Sequence, residues 1–214
     1  MLVHGATLTR ATYALMGCLL VGVVVAILLA GPDPWWHRQV SALAASPGLH
    51  ADVFNVTLIT AGGICLVSAA RFGPPLRALV RCGALHPRGF AIVRAAYLIE
   101  AVAFLGAGIV SMRLSLPWHN VFGVGLLAGP LLLMLSAPHI FPTQHPGARM
   151  RMIVATVIVV VAIVLFVPLH LVNLTVMEIA VFLATFGWLG TTMRWLADTL
   201  DARKRGPGRL RVSL

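Results

Sequence analysis

Charge is what this sequence has least of. Its 214 residues include 16 Lys and Arg but only six Asp and Glu, so charged side chains make up 10% of the chain. A soluble domain carries about 25%. The three cysteines, Cys18, Cys65 and Cys82, fit no CxxC, CxxCH or zinc-ribbon spacing. No G-x-S-x-G element marks a serine hydrolase, and no HxxEH or HxxxH spacing marks a metal site. No internal repeat suggests an inverted transporter. These absences exclude a soluble enzyme, a disordered tail and a disulfide scaffold. What is abundant is apolar: 59% of the residues, against about 45–50% in an ordinary domain. A membrane-spanning helix takes about 20 mainly apolar residues, and this chain has enough for about six such helices.

The net charge of +10 does not indicate a nucleic-acid partner. The basic residues fall in short runs between apolar stretches, as topology signals do. Six helices are expected at about 11–30, 53–70, 89–111, 119–137, 152–170 and 176–197. The first is longer than a signal-peptide core, has no Ala-x-Ala site directly after it and reads as a retained helix. Gly31-Pro32-Asp33-Pro34 ends it, because proline removes a donor and disfavours helix in the preceding residue. Gly129-Pro130 should kink the fourth. On this map Arg10, Arg71, Arg77, Arg81, Arg88, Arg94, Arg149, Arg151, Arg194 and five residues of the tail share one side. Only Arg38 and Arg113 lie on the other. The positive-inside rule then puts both termini in the cytoplasm. The expected fold is an all-α, six-transmembrane-helix bundle with a short outer interfacial helix. A single domain, 1–197, precedes a basic cytoplasmic tail, 198–214, and the location is a bacterial inner membrane.

The longest outer connection, 31–52, is too long for a turn. Trp35 and Trp36 suit the headgroup level. Trp36, Val40, Leu43 and Ala44 recur at helical intervals, so a short helix should lie on the outer membrane surface. Asp52 is a plausible N-cap for the second helix. Polar groups gather at this depth from every outer segment. Asp33, His37, Ser41, His50 and Asp52 belong to the first loop and Asn55 to the second helix. Arg113, His119 and Asn120 flank the start of the fourth helix, and His170, Asn173 and Glu178 the last connection. Such a set suits helix capping, a lipid-headgroup pocket or a metal site. Zinc takes His nitrogen and carboxylate oxygen, but the spacing is not dedicated, and no metal or cofactor is expected.

Glu100 is the most informative residue. It lies about 15 Å from either end of the third helix at 1.5 Å per residue, the middle of a bilayer. A charged carboxylate there costs about 2.5–3.5 kcal/mol on insertion scales. It must therefore face the bundle, be protonated or have a partner. Tyr97 lies on one side of it, and Ala96, Ala103 and Ala107 permit a close neighbouring helix. Arg94, six residues earlier, points elsewhere and should snorkel to the inner interface. Gly125-x-x-x-Gly129 and Ala180-x-x-x-Ala184 read as internal packing stripes.

Ser41-Ala42-Leu43, then His50-Ala51-Asp52-Val53-Phe54-Asn55 and Thr60-Ala61-Gly62-Gly63, with His119, Glu178, Trp188 and Trp195 placed later, resemble the bacterial six-span membrane proteins of the domain-of-unknown-function 998 family. That family is distantly similar to Frag/DRAM/Sfk-type membrane proteins. The resemblance covers about 10–197 and departs at Ala44, where glycine is usual. It implies the fold and location and makes Ser41, Phe54, Asn55, His119 and Glu178 candidates, without naming a reaction. The expected function is binding of membrane lipids, through a headgroup, or of a partner membrane protein at the outer polar cluster. The alternative is an intramembrane lipid hydrolase or a small proton-coupled transporter using Glu100 and the outer His/Asp set.

Overall fold

The computed structural model describes residues 5–31, 40–45, 47–141, 146–166, 169 and 173–204, without the side chains of 146–149, 203 and 204. Among these residues the chain is helical throughout: α1 Ala6–Ala30, a 3-10 segment Val40–Ala44, α2 Leu49–Arg71, α3 Gly73–Arg81, α4 Pro87–Ile109, α5 Leu116–Ile140, α6 Pro146–Phe166 and α7 Leu174–Lys204. Five of them, α1, α2, α4, α5 and α7, are long and apolar enough to cross a membrane. The chain is thus a multi-pass α-helical membrane protein. The apolar part of α6, Met150–Phe166, is shorter.

The long helices match the apolar stretches, with ends that differ for local reasons. Helix α2 starts at Leu49 after Gly48, so Asp52 sits in its first turn and caps nothing with its side chain. Helix α5 continues through both Pro130 and Pro138. Helix α7 runs past 197 to Lys204 because its last turns still bury apolar groups: Leu196 is 0% exposed and Leu200 is 6%. Gly5 N donates to Asp201 Oδ1 at 3.4 Å there, joining the start of α1 to the end of α7. A side chain at Gly5 would meet the Ala197 carbonyl, so glycine permits this approach.

Helix α3 was not evident from the hydropathy pattern. Nine residues are too few for a span, yet its first turn holds Pro74 and Pro75, where missing N–H groups cost nothing. Leu76 and Leu79 are fully buried while Arg77 and Arg81 are exposed. Phe72 ahead of it is also fully buried, with its ring edge on Tyr97 at 4.9 Å. The connection that looked like a basic loop is therefore a plug under one end of the bundle.

The helices associate unevenly. α1, α2, α4 and α5 pack side by side, α6 pairs with α7, and α1 joins the two groups through α7. α5 touches α6 and α7 only sparsely, which leaves a seam along that side. Small residues set the closest approach: a side chain at Gly125 would meet Ala103 at 3.0 Å, and one at Gly129 would meet the Ala96 carbonyl at 3.0 Å. The glycine stripe of α5 is thus an internal packing face.

Candidate functional site: a carboxyl without a partner

The polar groups expected on the outer side are mostly spent on local structure. The His119 ring Nδ1 lies 2.9 Å from the Val110 carbonyl, tying the α4–α5 connection to the first turn of α5. Glu178 accepts a hydrogen bond from Val40 N at 2.7 Å, holding the 3-10 segment against α7. That segment buries Leu43 and Ala44 on α2, α1 and α7, so its described part packs on protein rather than lying on the lipid surface. Asn173 Oδ1 accepts from Val176 N at 2.9 Å and so caps the start of α7. Arg113, Asn120 and Asp52 are exposed, and Ser41 and His50 are half-buried. His170, Asp33, His37, Trp35 and Trp36 lie outside the described residues. Among the described residues no three His, Cys, Asp or Glu side chains come together as a metal site. One member of that set stands apart: among the described residues the buried Asn55 Oδ1 has no hydrogen-bond partner, nor has Thr175 Oγ1 in the first turn of α7.

Arg94 does more than reach the interface. Its Nε donates to the Ala69 carbonyl at 3.0 Å, one of the four carbonyls that α2 leaves open at its C-terminus. A cation at that end also complements the helix dipole. Its guanidinium lies 5.4 Å from the centre of the Phe90 ring. Arg94 is thereby committed at the basic end and does not pair with Glu100.

Glu100 faces the bundle, as its position in the sequence requires, and is 7% exposed. Among the described residues neither of its buried oxygens has a hydrogen-bond partner. The neighbour that the sequence offers, Tyr97, is spent elsewhere. Thr12 Oγ1 donates to the Leu8 carbonyl at 2.9 Å, which leaves the Tyr97 hydroxyl to donate to Thr12 at 3.1 Å. This pair clamps α1 to α4 and commits the phenol hydroxyl to Thr12. Gly129 lies so close that a side chain there would come within 2.5 Å of Glu100 Oε1. Beside the carboxyl is a cavity of about 20 Å³ between α1, α4, α5 and α7. It is walled by Leu15, Tyr97, Leu133, Phe186 and Trp188, with half-buried Pro130 and Leu189 as its most exposed lining. One water-sized group needs about 10–15 Å³ by this measure, so the cavity holds one.

Trp188 is the residue whose part was not legible beforehand; Gly129 was read as a packing glycine, but not as the one that faces Glu100. Trp188 also lines a second cavity further along the seam, with Ala137, Arg151, Thr192 and Trp195. A tryptophan on an apolar stretch of α7 carries no signal of which helices it separates, and only the tertiary arrangement shows it. Compared with protein families, with curated proteins and with solved structures, the chain matches none.

Proposed function

We propose that this is a six-span membrane protein with both termini cytoplasmic, in which Glu100 takes up and releases a proton inside the bilayer to drive transport of a small solute. The observation that carries the reading is the buried carboxyl with two unpartnered oxygens beside a cavity. A buried acceptor without a partner costs about 1–3 kcal/mol. Ionisable groups inside a membrane mark proton and ion pathways. The cavity gives the carboxyl a space to exchange through, and the sparse packing of α5 against α6 and α7 gives that space a way to widen.

The sixth span in this reading is α6, whose apolar part Met150–Phe166 is at the short end of the about 17–25 residues that a crossing takes. The orientation rests on the basic residues: Arg10, Arg71, Arg77, Arg81, Arg88, Arg151 and Arg194 stand at one end of the helices, against Arg113 at the other. The test is proton flux into liposomes containing the purified chain, read with an interior pH dye under an imposed gradient. Wild type should dissipate the gradient, and Glu100→Gln, which keeps size and polarity, should fold and not do so. Equal flux from both proteins would overturn the reading.

A second reading is favoured by Asn55. Its orphaned amide oxygen at the outer end of α2 needs a donor that a lipid ammonium headgroup or a partner membrane protein would supply. Asn55→Leu should then release lipid or partner that copurifies with the wild type. Unchanged copurification would remove this reading. The resemblance to the domain-of-unknown-function 998 group rests on the motifs around Ser41 and Phe54 and adds no reaction to either.

A further inference from the structure

The wall of the Glu100 cavity restricts what can answer its carboxylate. A hard divalent cation takes about 6–8 oxygen ligands, and the wall has few to give. The Tyr97 phenol is committed to Thr12, and the Thr185 hydroxyl donates to the Val181 carbonyl at 2.8 Å. An ordered water wants about 2–4 polar partners, and beyond the carboxyl the lining is almost entirely hydrocarbon and aromatic ring. α1 and α5 contribute no ionisable group to the wall and α7 none either; the ionisable neighbours of Glu100 are Tyr97 on its own helix and Cys65 on α2. Among the described residues no cationic side chain lines the site. The partner that suits it is a cation whose own body is apolar.

We infer that the cavity is the head-group site for a lipophilic monovalent ammonium ion, which pairs with Glu100 and displaces its proton. The charged head needs only one water-sized space, and that is the room present. Tyr97, Phe186 and Trp188 present three aromatic side chains to the same space, the surroundings that favour ammonium groups through the ring quadrupole. The hydrocarbon part leaves past Pro130 and Leu189, the half-buried lining on α5 and α7, along the seam where these two helices scarcely touch. This rests on the reading that Glu100 exchanges a proton in the membrane, because amine and proton compete for the same oxygens. It adds the class of solute.

The experiment uses the full chain in nanodiscs of neutral lipid, with empty nanodiscs as the blank. Calorimetric titration with n-hexylammonium should show saturable binding, one per chain. 1-Hexanol, with the same tail and no charge, should match the blank. Glu100→Gln should weaken amine binding about 30-fold or more, as removal of one partner of a buried charge pair does. Binding that is equal in the two proteins, or equal for amine and alcohol, overturns the inference. A measurement on the wild type alone covers the case in which the variant does not fold. At fixed pH, hexylammonium should abolish the infrared carbonyl band of the protonated carboxyl. A band that titrates with pH but ignores the amine overturns the ammonium site and leaves the proton reading standing. A band that neither pH nor amine changes overturns both.

Discussion

A carboxyl held at Glu100 without a donor is retained against stability. Its two oxygens lose water on burial and gain no protein partner, so an apolar residue of similar length should fit better. Replacing a buried unsatisfied group by hydrocarbon removes a penalty of about 1–3 kcal/mol. Glu100→Leu is therefore expected to raise the thermal unfolding midpoint of the detergent-solubilised protein while abolishing proton flux. A fall in that midpoint would reveal a structural partner for the carboxyl. Gly129 makes the complementary case. An added methyl would sit 2.5 Å from Glu100 Oε1 and 3.0 Å from the Ala96 carbonyl. The side chain can turn aside but the backbone cannot, and overpacking of this kind costs about 1–3 kcal/mol. Gly129→Ala should destabilise by that amount, and Glu100→Ala in the same chain should recover part of it. The double-mutant cycle measures the coupling directly; strict additivity would mean that the two residues do not share the space. The depth and inward direction of Glu100 could be read from the sequence. Its isolation could not, because that depends on Thr12 of α1 claiming the Tyr97 hydroxyl.

The elements separate what hydropathy reports from what it omits. The apolar runs marked the long helices because a span must bury its backbone polar groups in its own hydrogen bonds, so length and apolarity leave little alternative. Helix α3 escaped this logic. It is short, starts on two prolines and holds its place through three fully buried side chains, Phe72, Leu76 and Leu79. The end of α7 escaped it as well, since a helix that leaves the hydrocarbon can continue wherever it still finds a packing partner. Leu200 is buried and Asp201 reaches Gly5 at the start of α1. Removing residues 205–214 is expected to leave the unfolding midpoint unchanged. Removing 198–214 should lower it, because deletion of a buried leucine side chain alone costs about 2–5 kcal/mol. Equal midpoints for the two truncations would show that the last turns of α7 are dispensable. The outer polar residues teach the same lesson at smaller size. Expected at a common depth, His119, Glu178 and Asn173 each satisfy a backbone group instead and so do not converge.

For the whole molecule the decisive quantity is which end of the bundle faces which compartment, because the direction of any proton movement through Glu100 follows from it. The cysteines supply an internal reporter. Cys65 is fully buried in the span α2, and Cys18 lies within α1, whereas Cys82 follows α3 at the end crowded with Arg71, Arg77, Arg81 and Arg88. Basic residues near span ends stay on the cytoplasmic side, and 14 of the 16 in this chain fall on one side of a six-span map. Cys82 is half-buried and its thiol lies 3.3 Å from the Leu79 carbonyl, so labelling should be slow but one-sided. A membrane-impermeant maleimide applied to intact cells should leave the protein unmodified. The same reagent applied to inverted vesicles should add one label, which Cys82→Ser removes. Moving the reporter to the opposite end, with Ser111→Cys in a Cys82→Ser chain, should reverse the pattern, because residue 111 lies in the connection between α4 and α5. Labelling of Cys82 from outside the cell would invert the map, and labelling of both positions from one side would mean that α4 does not cross.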